Sequence, residues 1–243
     1  MHTSCNLCGS SDARFVYPDG GSFCFSCWSP GGKRISPYVR QNEGTGSTNL
    51  SLPDDCSFDY PEHVLSWTSK YHITVEELIS HDVYYSKQRD QLIFTWEAAS
   101  GEVCLWQARN FSKTAKAKCY TKGKPDAFVP IYTHRTLGHT YGSPQRLLVI
   151  VEDPISAIKC SRFTCAMPVL GSDLSKDKIK HIARHLEGFL GCSEVVVWLD
   201  GNMFHKAQRI AQRFKMLGVE ARAVYTQLDP KEYTNDEIRK IIE

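Results

Sequence analysis

Two cysteine pairs near the start of the chain carry the plainest chemistry. Cys5-x-x-Cys8 and Cys24-x-x-Cys27 are separated by fifteen residues. Two residues between thiols let a tight turn aim both sulfurs at one ion, and two such turns fit a zinc site. A closed set of four thiolates holds a structural Zn2+ rather than a catalytic one. A core of this size cannot fold unaided, so the metal would supply its stability. Disulfides are the alternative, but nothing in the sequence points to an oxidising compartment. Cys56, Cys104, Cys119, Cys160, Cys165 and Cys192 show no ligand spacing and read as buried, reduced thiols.

A second set of candidates is acidic. Glu152, Asp200 and Asp229 each follow a stretch that reads as a β-strand. In an open parallel sheet the C-terminal strand ends line one edge, where ligands bind. Three carboxylates converging there without an equal number of buried cations need a metal. Hard oxygen ligands suit Mg2+ or Mn2+. Such ions clamp a phosphoryl group during transfer. Each acid alone could be no more than a helix N-cap; the pattern rests on all three.

The third set is basic. Between Arg109 and Lys124 the cations Arg109, Lys113, Lys116, Lys118, Lys122 and Lys124 occur with no acid among them. The run reads either as a solvated face or as a patch for nucleic-acid backbone or nucleotide phosphates; its place between a zinc ribbon and an acidic edge favours the patch. In the cysteine region Tyr17, Phe23, Phe25 and Trp28 lie beside Arg14, Lys33 and Arg34. Aromatic faces with cations suit unpaired bases and phosphates. The same aromatics could equally be the ribbon's own core.

These groups need elements to hold them. Arg14–Tyr17 and Ser22–Phe25 read as short strands around the turn Pro18-Asp19-Gly20-Gly21, which makes residues 1–38 a zinc ribbon. Residues 39–53 are polar and rich in Gly, Ser and Thr and read as a flexible linker. Residues 54–143 read as a basic α+β subdomain. It has two short helices between Glu62 and Ser80, broken near Tyr71-His72-Ile73. Strands follow at Val83–Tyr85, Gln91–Trp96 and Val103–Ala108. Residues 144–243 alternate strand and helix. Strands are expected at Arg146–Val151, Met167–Gly171, Glu194–Leu199 and Arg222–Tyr225. Helices are expected after Pro154, at Asp177–Leu186, from Phe204, and from Thr234 or Asn235 to Ile242. That alternation gives a parallel sheet with helical covers. The fold class is therefore α/β: a small β ribbon, a mixed subdomain and a parallel-sheet domain.

Composition agrees. The 243 residues hold 29 Lys and Arg against 27 Asp and Glu, with 42% hydrophobic residues, an ordinary globular balance. It excludes wholesale disorder, collagen and coiled coil. No apolar run approaches the roughly 18 residues of a membrane helix. The first residues have no secretory apolar core. Together these suggest a cytoplasmic protein with no membrane partner.

Val149-Ile150-Val151-Glu152-Asp153-Pro154-Ile155-Ser156-Ala157-Ile158, Val197-Trp198-Leu199-Asp200-Gly201-Asn202 and Asp229-Pro230-Lys231-Glu232-Tyr233 resemble the three motifs of the Toprim fold. An N-terminal four-cysteine ribbon joined to a Toprim domain resembles bacteriophage DNA primases and, more distantly, bacterial replicative primases. The resemblance runs from Cys5 to the last helix, and residues 84–124 resemble the basic subdomain before Toprim in those enzymes. It implies synthesis of short RNA primers on single-stranded DNA from nucleoside triphosphates, in the cytoplasm of a bacterial host if phage-encoded. It implies Glu152, Asp200 and Asp229 as catalytic metal ligands, with Asp153 and Asn202 supporting. The basic run, with Arg14 and Trp28, would contact nucleic acid or triphosphate. Two positions depart from the pattern. Asn202 stands where many Toprim enzymes carry the second Asp of Asp-x-Asp. Ser156 stands where a further acid often follows the motif Glu, and Asp153 could compensate. No Walker A motif occurs, so a separate helicase or polymerase is the expected partner. A Toprim nuclease, or a zinc-dependent single-stranded-DNA-binding module with weak catalysis, are the alternatives.

Overall fold

The computed structural model describes residues 2–6, 9–11, 14–16, 22–24, 30–31, 50–97, 102–123, 129–133, 147–171, 173–190 and 192–243. The chain divides into two compact units, residues 1–47 and 48–243.

The first unit holds four short strands, β1 (His2–Thr3), β2 (Arg14–Val16), β3 (Ser22–Cys24) and β4 (Pro30–Gly31), paired antiparallel in chain order. The hairpin expected from Arg14 to Phe25 is the β2–β3 pair. Cys5 is buried in a tight turn: its N–H donates to the Ser10 carbonyl at 2.8 Å, and the Gly9 N–H donates to the Cys5 carbonyl at 2.9 Å. Gly9 has φ of 72°, a left-handed value that favours glycine. Cys8, Cys27, Trp28 and the turn at 18–21 lie outside the described residues.

The second unit begins with chain that packs before residue 54. Leu50 and Leu52, read as part of the linker, lie against Ile93, Trp106 and Ala108. An antiparallel sheet then runs β5 (Cys56–Ser57), β6 (Val83–Ser86), β7 (Gln91–Glu97), β8 (Val103–Asn110) and β9 (Cys119–Gly123), in that order. Helices α1 (Glu62–Ser69) and α2 (Val75–Ser80) separate β5 from β6. The α1–α2 break at residues 71–73 is made by His72, whose φ is 56°, and by Thr74, which caps α2 reciprocally with Glu77.

A four-stranded parallel sheet follows: β10 (Leu147–Val151), β11 (Cys165–Pro168), β12 (Glu194–Val197) and β13 (Glu220–Ala223), in the spatial order β11-β10-β12-β13. Its helices are α3 (Pro154–Cys160), α4 (Lys176–Leu190), α5 (Phe204–Lys215) and α6 (Asn235–Ile242). Strand side chains alternate between two cores. Leu148, Ile150, Val195 and Val197 meet α4 and α5 through Ile179, Ile182, Ile210 and Phe214. Val149, Val151, Val196 and Trp198 meet α3, α6 and the antiparallel sheet through Ile155, Ile238, Leu92 and Phe94. Because this second core is shared, residues 54–143 and 144–243 pack as one body. Tyr132 joins the two sheets directly: it bridges Ala166 on the edge strand and buries its ring against Trp96, 5.5 Å between centroids.

Of the six other cysteines, only Cys160, Cys165 and Cys192 are buried. Cys56 and Cys104 are half-buried, and Cys119 is exposed because it opens the edge strand β9. The expectation that all six are buried is corrected there. No helix among the described residues is long and apolar enough to cross a membrane.

Candidate active site

Glu152 and Asp153 follow the last residue of β10, Asp200 lies three residues past β12, and Asp229 lies six residues past β13. Parallel strands put all of these turns at one edge of the sheet. Asp200 leads into a short 3-10 turn at Gly201–Met203 that carries Asn202, which is exposed. Asp229 opens another at Pro230–Glu232, locked by reciprocal bonds between Asp229 and Glu232 and by buried Pro230. Asp153 is the N-cap of α3: its carboxylate accepts from the Ser156 N–H at 3.0 Å and the Ser156 hydroxyl at 2.9 Å. Ser156 is thus spent on holding Asp153.

The edge is not purely acidic. The Lys231 ammonium donates to Asp153 Oδ2 at 2.9 Å and to Asp229 Oδ2 at 2.6 Å, with its side chain only 16% exposed. Lys206, buried in the first turn of α5, lies within electrostatic range of Glu152 and Asp200. Two lysines, the half-buried Lys231 and the buried Lys206, thus accompany the carboxylates, still fewer cations than acids. Among the described residues, no three His, Cys, Asp or Glu side chains form a ready cage for one ion. Instead the carboxylates divide. Asp153 and Asp229 share Lys231, whereas Glu152 Oε2 and Asp200 Oδ1 are buried with no hydrogen-bond partner. Burial pushes the Asp200 carboxyl up to about 7; Glu152 and Asp229 push it the same way, and Lys231 opposes them. Two buried carboxylate oxygens without donors, one on a carboxyl that resists ionising, fit a hard divalent cation completed by water or phosphate.

Lys231 is itself held from behind. Lys159, 1% exposed on the wholly buried helix α3, donates to the Lys231 carbonyl at 2.8 Å and to the Tyr233 carbonyl. Sequence reading missed Lys159, Lys206 and Lys231. The position of Lys231 two residues after Asp229, in Asp-Pro-Lys, was the one available signal.

The basic run starts beside this edge. Arg109 ends in a half-buried guanidinium 4.1 Å from the Trp67 ring centroid, and its Nε is buried without a hydrogen-bond partner. Trp67 meets Phe111 and Tyr71 edge-on, at 5.5 and 5.4 Å, and the Lys231 ammonium lies 5.9 Å from the Tyr71 ring centroid. Cys119 lies within electrostatic range of Arg109, Lys118 and Asp153 at once. Lys113, Lys116, Lys118 and Lys122 are exposed on and before β9. Lys122 reaches to 5.9 Å from the Trp106 ring centroid. Lys124 lies outside the described residues. In the other unit the Arg14 guanidinium is turned to Ser22 Oγ at 2.9 Å and to the Cys5 sulfur at 3.4 Å.

No protein-family profile and no curated protein matches the sequence. Solved structures do match in fold. The chain is similar to the Aquifex aeolicus primase in its zinc-binding and RNA polymerase domains, at 12% identity and a TM-score of 0.56, over 75% of this chain and 55% of that one. It is similar to a DnaG primase catalytic domain bound to single-stranded DNA, at 15% identity and 0.56, over 76% and 72%. It is similar to the E. coli primase catalytic core, at 16% and 0.52, over 73% and 68%. Identities this low establish the fold: a mixed α/β body, antiparallel sheet beside parallel sheet, as in DNA primase catalytic cores.

Proposed function

We propose that this chain is a DNA primase that joins nucleoside triphosphates into short RNA primers on single-stranded DNA. The observation that carries this reading is the continuity of the cationic edge strand with the acidic sheet edge in one compact unit, through Arg109, Trp67, Tyr71, Lys231 and Asp153. Phosphate-binding and metal-binding chemistry then meet at one place, as nucleotidyl transfer requires.

Glu152 and Asp200 are the residues that would hold Mg2+ or Mn2+. When bound, such an ion polarises a phosphoryl oxygen and makes a hydroxyl more acidic. The chain's own residues do the rest. Lys231 and Lys206 offset two of the four carboxylate charges, which lowers the repulsion an approaching triphosphate meets. Lys113, Lys116, Lys118 and Lys122 track a backbone, and Arg109 with Trp67 and Phe111 offers a cation on an aromatic bed at the point where that track meets the edge. In this reading Cys5, Cys8, Cys24 and Cys27 hold one Zn2+, and the ribbon helps select the template site. Elemental analysis should find one zinc per chain.

The deciding experiment is incubation with a random single-stranded DNA pool, labelled ribonucleotides and Mg2+ or Mn2+. Short labelled RNA that depends on template and metal is the expected product. Degradation of the DNA without ribonucleotides would replace this reading with a nuclease. Affinity without product would leave a binding module, the reading that exposed Asn202 favours.

A further inference from the structure

The four acids of the sheet edge do not share one environment. Asp153 and Asp229 are bridged by a single ammonium, at 2.9 and 2.6 Å. Glu152 and Asp200 each keep one buried oxygen with no partner. The ammonium is placed by the fold. Lys231 sits in a 3-10 turn locked by the Asp229–Glu232 bonds, and the buried Lys159 grips the backbone of that turn through the Lys231 and Tyr233 carbonyls. Asp153 is fixed in turn by Ser156. A lysine held on its backbone and on both of its partners is a resident cation, not a passing surface contact.

Charge leads to a count. Four carboxylates set against the ammoniums of Lys231 and Lys206 leave a formal excess of two negative charges, which one divalent cation cancels. A second would have to displace Lys231 or sit beside it unneutralised. We infer that Lys231 is a built-in counter-ion that occupies the Asp153–Asp229 half of the edge, so that the site takes one divalent cation, at Glu152 and Asp200. The inference rests on the metal reading given above. It also accounts for the two departures in the sequence. Ser156 and Asn202 are neutral where further acids are expected, and a site with a permanent lysine needs fewer carboxylates.

Mn2+ titration of the full chain, with free Mn2+ counted by electron paramagnetic resonance and no nucleotide present, tests this directly. The wild type should bind one Mn2+ at the edge, and Asp200→Asn should remove it. Lys231→Met should expose a second site or tighten a weak one at least tenfold, while Lys231→Arg keeps the count at one. Circular dichroism reports whether each variant is folded, and the wild-type count stands whether or not Lys231→Met folds. Two wild-type sites of similar affinity, both lost on mutating the edge, would overturn the lysine assignment and leave the metal reading intact. A folded Lys231→Met that still binds one ion with unchanged affinity would do the same. No binding at all, or full binding in Asp200→Asn, would overturn the metal reading and this inference with it.

Discussion

Gly201 lies against the backbone of Thr226, so that a Cβ at position 201 would fall 2.5 Å from the Thr226 carbonyl oxygen. The contact joins the turn after β12 to the turn after β13, and so fixes Asp200 relative to the Asp229 segment. Trp198 adds to it, donating its indole N–H to the Thr226 hydroxyl at 2.7 Å.

Gly201→Ala should therefore push the two turns apart. Backbone against Cβ cannot relax by a rotamer change, and overpacking of this kind costs about 1–3 kcal/mol. Urea unfolding should show that loss, and divalent-cation affinity should fall with it. A variant as stable as its parent would mean that the turns have room to spare.

Much of this arrangement could be read from the chain. Buried parallel strands are near-continuous apolar runs, so Leu147–Val151 and Glu194–Val197 announced themselves, and the acids that follow them marked the edge. What stayed hidden depends on pairings across long stretches of chain. Lys231 meets Asp153 across 78 positions, and no local spacing encodes that. Lys159 reads as the polar face of a short helix, yet α3 is buried on every side, because the parallel sheet and the Pro230–Glu232 turn enclose it. Leu50 and Leu52 were masked by the polar stretch before them.

Lys159 gives a pH dependence with a definite sign. Burial pulls its ammonium down to about 8, below the ordinary value of 10.5. Below pH 8 the group is charged in the folded and the unfolded chain, and the cost of burying that charge is fully present. Between about 8 and 10.5 the folded chain has released the proton while the unfolded chain keeps it, so stability rises with pH. The neutral amine retains two N–H donors for the Lys231 and Tyr233 carbonyls. The stability of wild type minus that of Lys159→Met should thus grow from pH 7.5 to pH 10, by up to about 3 kcal/mol. Groups common to both proteins cancel in the difference. A difference that stays flat would mean that the ammonium is not desolvated.

The exposed lysines of β9 and the loop before it can be separated from mere solubility by salt. Each phosphate contact on a single strand contributes about −0.7 to the slope of log K against log salt. Replacing Lys116, Lys118 and Lys122 with Gln should flatten the slope for single-stranded DNA by up to about two. An unchanged slope would make the run a solvated face whose charges only blunt the edge strand.

Asp200 decides whether the edge does chemistry. Its carboxyl is partly buried and faces the charges of Glu152 and Asp229. Asp200→Ala should lower primer synthesis at least about a hundredfold, with folding and DNA affinity close to wild type. Removing a carboxyl from among its own kind relieves repulsion, so the thermal stability of chelator-treated protein should hold or rise. Asn202→Asp restores a second charge in an exposed turn beside Asp200, and Mg2+ should bind it more tightly with activity kept or raised. Labelled-ribonucleotide incorporation and thermal melts on the same preparations read both outcomes. If Asp200→Ala synthesises primers at the wild-type rate, the edge is not the catalytic centre, and the chain is better read as a binder of single-stranded DNA.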